Sequence, residues 1–316
     1  MIIIDNSAIT EFDKMLRHNI NKNEIALFLH NTSFKQMISS CSECVGIKNG
    51  DFDTWTTLAE KALIFDGTES EKIYEKNILS AFKAAKDDIQ KLIDNSDEVY
   101  SIIESRNFVN IAARFISAIP EFTTNIYLIF GTNNAFANSG NIYLDVNLLS
   151  ELPENMIDGI IAHEYHHLLR EKCIVRNDNS YPLNILNWLE SEAIADMCNG
   201  FMETIKLYDT LGFVNQEKIL SNLNDYRSIF AMFETLITSE AGYDKLKAFL
   251  SENLNLHLIG YCMATHINQV SGSSELASCT GNSIRFINEY QEASEKNSYP
   301  YGYTFNDCFI DMINSL

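Results

Sequence analysis

The chain has 316 residues, enough for one large domain or two modest ones. With 46% apolar residues, 21% charged residues and 4 prolines it describes a folded, helix-rich protein. Its 23 basic against 43 acidic side chains leave a formal charge of −20, which repels a phosphate backbone over most of the surface, so no nucleic-acid partner is expected.

No stretch approaches the ~20 apolar residues of a membrane span, so no membrane partner is expected. Met1-Ile2-Ile3-Ile4-Asp5 lacks the basic region and the length of a signal peptide, and the expected location is cytoplasmic. Seven cysteines, at positions 41, 44, 173, 198, 262, 279 and 308, do not form the dense, even framework of a small secreted scaffold and read as free thiols. The single C-x-x-C, Cys41-Ser42-Glu43-Cys44, cannot by itself complete a four-cysteine zinc site.

Up to about residue 118 the chain is a succession of helical patterns, a helical N-terminal region (1–118) with no evident chemistry. In the stretch Ile73 to Ile93, Leu79, Phe82, Ala85, Ile89 and Ile93 keep one buried face. The polar cluster Asp94-Asn95-Ser96-Asp97 predicts a break, with Ser96 or Asp97 capping a second helix from Val99 to Ile119. Past Pro120 the texture changes. Asn125-Ile126-Tyr127-Leu128-Ile129-Phe130 and Ile142-Tyr143-Leu144-Asp145-Val146 are rich in β-branched and aromatic residues and predict two strands, a hairpin or neighbours in a small sheet, joined by a polar loop from Thr132 to Asn141. Helices follow from Pro153 to the end.

His163-Glu164-Tyr165-His166-His167 contains H-E-x-x-H. On a helix that spacing places His163 and His167 on one face, separated by ~6 Å of rise, which suits two ligands of one metal ion. Pro153 suits the first turn, and Ile157, Ile161, Tyr165 and Leu168 form an apolar stripe for a core. Glu164 sits beside the metal face as a candidate general base. His166 is better placed in support of the site or at the surface than as a ligand. Arg170 can anchor a carboxylate in two-pronged fashion, more naturally a structural one than one on a substrate.

A second helix starting at Tyr181-Pro182 carries Glu192 and Asp196 four residues apart on one face. Glu192 is the candidate third ligand, and Asp196 the acceptor for the free N–H of a ligating histidine. Glu190, the rival ligand, projects away from that face. Two histidines, one carboxylate and an open position describe a catalytic zinc site, and zinc is the expected cofactor. The bland alternative is a solvated helix face that happens to carry histidines. A di-iron site would need a second Glu-x-x-His besides Glu164–His167, and the sequence has none. An inactive metal-binding or interaction module would keep the same ligands, but it has no use for Glu164.

These residues carry a resemblance. Glu192-Ala193-Ile194-Ala195-Asp196, a short linker after H-E-x-x-H, resembles the glutamate helix of thermolysin-like gluzincin metallopeptidases. The string His163 to Arg170 is similar to that of a bacterial family of predicted zinc-dependent proteases carrying HEYHHxxR. The likeness covers mainly residues 125 to 200, with a weaker match at Gly260-Tyr261. It implies peptide or protein substrates. It implies Asn134 and Ala135, in Asn133-Asn134-Ala135-Phe136, as hydrogen-bonding partners of an extended peptide added to a sheet edge. It also implies Tyr261, or else His257 by analogy with a downstream histidine, as the donor to the oxyanion. The fold expected is α+β and mostly helical, a small β-sheet with an edge strand packed on the H-E-x-x-H helix and a glutamate helix, with a catalytic domain at 119–316.

Overall fold

The computed structural model describes residues 1–18, 20–175, 181–210, 214–239 and 242–316. The fold is α+β and mostly helical, with one four-stranded sheet. The chain divides into two compact units, residues 1–107 with 121–164, and residues 108–120 with 165–316. The helices of the N-terminal third therefore share a unit with the sheet.

In the first unit the strands are β1 (Ile2–Asp5), β2 (Thr124–Ile129), β3 (Ala135–Asn138) and β4 (Asn141–Asp145), in the order β1-β2-β4-β3. β1 and β4 run parallel to β2, and β3 runs antiparallel to β4. Its helices are α1 (Ser7–Leu16), α2 (Lys22–Asn31), α3 (Phe34–Ser40), α4 (Phe52–Leu63), α5 (Ile73–Asp87), α6 (Ile89–Ser105) and, after α7 (Asn107–Ala113), α8 (Val146–Leu149). The period-two pattern of β2 buries Thr124, Ile126 and Leu128 on one face. On the other, Tyr127, Tyr143 and Phe136 stack across three strands with centroids 5.2 and 5.3 Å apart, as their register requires. Phe12, Phe28, Phe34, Trp55, Phe82 and Phe130 form a contiguous aromatic core.

Three local expectations change. Met1-Ile2-Ile3-Ile4, too short to read as anything by itself, contributes the parallel edge strand β1 because β2 offers it a ladder. The polar loop between the two predicted strands contains β3, turned onto β4 by Ser139 and Gly140 at φ 51° and 79°. Two successive residues at positive φ make the tight hairpin turn whose twist matches the strands. The break predicted at Asp94–Asp97 is absent. The chain breaks at Asp88, whose carboxylate caps α6 by accepting from Lys91 N at 3.0 Å, and α6 runs on through Ser96. The apolar stripe Leu92, Val99, Ile102 and Ile103 is buried along its whole length, so burial outweighs the capping preference of the polar cluster. The second predicted helix, Val99 to Ile119, is instead the end of α6, a left-handed Arg106 and α7.

α9 (Glu154–Glu171) passes from the first unit into the second. The second unit holds α10 (Tyr181–Asn199), α11 (Phe201–Thr210), α12 (Gln216–Asn224), α13 (Tyr226–Thr238), α14 (Tyr243–Ser251), α15 (Asn255–Val270), α16 (Ser273–Cys279), α17 (Ser283–Lys296) and α18 (Asp307–Ser315). α10 and α15 pack closely. A Cβ added at Gly260 would stand 2.8 Å from Ala193 Cβ, so only glycine allows this approach. No helix among the described residues is long and apolar enough to cross a membrane.

Candidate metal centre

α9 begins as its sequence predicts. The Pro153 carbonyl accepts from Met156 N and Ile157 N, at 2.8 and 3.1 Å, where a missing proline N–H does no harm. Ile157, Ile161, Tyr165 and Leu168 are buried, and this apolar stripe fixes which side of the helix carries the histidines. His163 and His167 are each partly exposed, one helical turn apart, and Glu164 between them is buried. His166 is fully buried with Nε2 3.1 Å from the Phe115 carbonyl, so of the two places expected for it the surface is the wrong one.

The ligand atoms of His163, His167 and Glu192 all lie within 4.8 Å of one another, the one such cluster among the described residues. His167 Nε2 stands 3.5 Å from Glu192 Oε2. Two ligand atoms at about 2.1 Å from a tetrahedral zinc are roughly 3.4 Å apart, so this separation fits the ion. Two imidazole nitrogens with one carboxylate oxygen also match the donor set of a catalytic zinc site.

Three consecutive residues of α10 meet α9. Ser191 Oγ is 2.9 Å from His167 Nδ1, the nitrogen turned away from Glu192, and a hydrogen bond there orients the ring with Nε2 toward Glu192. Glu192 lies on one side of Ser191 and Glu190 on the other. Glu190 is not available as a ligand: fully buried, it accepts from Arg170 Nε at 2.6 Å and from Gly281 N at 2.9 Å. Burial pushes its carboxyl pKa upward, opposed by the Arg170 guanidinium and the Gly281 N–H. Arg170 thus anchors a carboxylate of the protein itself. Ser191 had no signature in the sequence beyond standing next to Glu192.

Asp196 is buried, and its Oδ2 is 2.8 Å from Nδ1 of His257 on α15. The sequence pointed to both residues without pairing them. Tyr261, one turn further along α15, stacks on Phe201 with ring centroids 4.6 Å apart and lies 6.0 Å from the Tyr301 ring.

Ala135 opens β3, with Asn134 just before it, and the strand is paired on one side only. The Asn134 carbonyl accepts from Asp145 N at 3.2 Å, so the alternation of an antiparallel strand directs the backbone groups of Ala135 and Ala137 to the open edge. The Ala135 N–H is met by the Asn134 side chain, at 2.9 Å. Asp145, unremarked in the sequence, fixes this segment: its Oδ2 accepts from Thr132 N and Asn133 N, both at 2.8 Å, while its Oδ1 caps α8 through Asn147 N. Burial raises the Asp145 pKa, and these backbone N–H groups oppose the rise.

No curated protein and no solved structure matches the chain. One family model does, over residues 17–299, and its description is "Putative zinc dependent peptidase (DUF5700)". Because that match spans most of the 316 residues, including both helices of the His163, His167 and Glu192 cluster, the chain belongs to the family so described.

Proposed function

We propose that the protein hydrolyses peptide bonds at a zinc ion held by His163, His167 and Glu192, in the manner of gluzincin peptidases. The observation that carries this reading is the convergence of those three side chains beside a buried Glu164. Zinc in such a donor set supplies a Lewis acid that polarises the scissile carbonyl and makes water nucleophilic at neutral pH. Glu164 accepts the proton of the attacking water and passes it to the leaving amine. His257, doubly protonated with Nδ1–H on the Asp196 carboxylate, donates from Nε2–H to the oxyanion of the tetrahedral intermediate. Of the two candidate donors we favour His257, because a carboxylate holds its ring, whereas Tyr261 is stacked flat on Phe201. The substrate adds as a strand to β3, meeting the outward backbone at Ala135 and Ala137 and the side-chain amide of Asn134.

The test is metal analysis of purified protein together with Glu164→Gln and Glu192→Ala, each assayed on a mixed peptide library. Wild type is expected to carry one zinc and to cleave. Glu164→Gln should keep the zinc and lose turnover by ~10²–10⁴-fold, and Glu192→Ala should lose both. A wild type that binds no zinc would sink the proposal. Zinc binding without cleavage by any form would favour the inactive module instead.

A further inference from the structure

Glu190, Ser191 and Glu192 approach α9 over an arc. At about 100° per residue, Ser191 faces α9 and the two glutamates reach around it from opposite sides. One arm ends on His167 Nε2 at 3.5 Å and the other on Arg170 at 2.6 Å. Arg170 lies three residues beyond His167, on the same side of α9. Turning α10 about its axis would lengthen one arm as it shortened the other. The second arm is the stiffer: Arg170 and Glu190 are 7% and 0% exposed, and Arg170 Nη2 also donates to the Asn187 carbonyl at 3.0 Å. Gly281 N holds the far carboxylate oxygen at 2.9 Å, and Ser283 Oγ holds Asn187 Oδ1 at 2.9 Å. The loop between α16 and α17 therefore closes the arrangement from a third side.

We infer that the buried Arg170–Glu190 pair is a positioning device for the metal centre, setting the rotation of α10 that brings Glu192 to His167. The inference rests on the zinc reading above and adds to it residues that touch neither metal nor substrate. A buried ion pair is a poor source of stability, because desolvation offsets much of its attraction, and it is often replaceable by apolar side chains with no loss of fold. What apolar side chains lack is the forked, directional geometry that fixes one register.

The experiment follows from that difference. In Arg170→Met with Glu190→Leu the core stays filled and no charge is stranded. Zinc affinity is measured by chelator competition, thermal unfolding on the metal-free protein, and kcat and KM on a cleaved peptide. The expected result is a folded metal-free protein with a midpoint close to wild type, zinc affinity weakened ~10–100-fold, and kcat reduced with KM nearly unchanged. Wild-type zinc affinity in that folded double variant overturns the inference. Arg170→Lys, which keeps the buried charge but not the fork, decides the matter if the double variant does not fold. Weakened zinc binding supports positioning, and unchanged binding refutes it. His163→Ala and Glu192→Ala run alongside, and if neither weakens zinc binding the metal-centre reading itself has failed, whatever the Arg170 variants do.

Discussion

Asp196 on α10 and His257 on α15 meet at 2.8 Å, carboxylate Oδ2 to ring Nδ1, one helical turn beyond Glu192. The bond fixes the imidazole plane and engages Nδ1, so donation to a substrate comes from the Nε2–H of the doubly protonated ring. If that nitrogen serves the oxyanion, His257→Ala lowers kcat by ~10²–10³-fold and leaves zinc content intact. Asp196→Asn, which keeps the shape and removes the charge, gives a smaller loss. Steady-state kinetics and metal analysis on the same preparations check this, and full activity in His257→Ala would return the donor role to Tyr261.

The Gly260 contact carries a separate expectation. A methyl group there would stand 2.8 Å from Ala193 Cβ and 3.0 Å from Ala193 Cα, next to Glu192 in sequence. Gly260→Ala should cost about 1–3 kcal/mol by overpacking, measured by denaturant unfolding, and should weaken zinc binding as α15 displaces α10. Wild-type stability in this variant would show that the crossing is loose.

Arg170→Met alone differs from the double substitution because it strands the Glu190 carboxylate at 0% exposure. Loss of one partner of a buried pair costs about 3–5 kcal/mol. Denaturant unfolding should therefore rank the single variant well below both wild type and the double variant, and equal stability of the two variants would contradict the pairing.

His266 on α15 gives a pH dependence. It is fully buried, and neither ring nitrogen makes a well-formed hydrogen bond. Burial lowers its pKa below the usual 6.5, and the nearby backbone at Ala293 and Asn297 opposes the shift. The folded protein therefore holds fewer protons than the unfolded chain between the lowered pKa and 6.5. Stability in that window rises with pH and is lost as the pH falls below about 6.5. The melting temperature followed from pH 7.5 to 5.5 should drop more steeply in wild type than in His266→Phe, and parallel curves would exclude His266 as the source.

The β3 edge is tested through the backbone. The Ala137 N–H points to the open edge, so Ala137→Pro removes a donor without breaking the ladder to β4. On a peptide long enough to add as a strand, KM should rise with kcat little changed; on a dipeptide neither should move. An unaltered KM on long peptides would remove β3 from the substrate path.

The legible parts of the sequence were those in which a residue's role depends on its near neighbours. The period of three to four over Ile157, Ile161, Tyr165 and Leu168 determined a helix and the side it buries. That in turn put His163 and His167 on one face before any contact was known. The same logic located α10 and the pairing of Glu192 with Asp196 along it. β1 was hidden because a lone apolar run of four residues has no meaning until a partner strand exists, and Asp88 displaced Asp94–Asp97 as the helix break because buried stripes outweigh caps.

By itself, then, the sequence determined the H-E-x-x-H helix, the carboxylates of the second helix, the two central strands and the mostly helical character, all set by local periodicity. Spacing favoured Glu192 over Glu190 as the ligand, but the partners of Glu190 and Asp196, and the approach of Glu192 to His167, were decided by the tertiary structure. Glu190 and Glu192 stand two residues apart with the same chemistry, and one is buried on Arg170 while the other reaches His167. That choice depends on the rotation of α10 against α9, and Asp196 finds His257 only because Gly260 lets α15 close on α10. Helix rotation and approach are settled by packing among residues far apart in the chain, and no spacing within one helix encodes them.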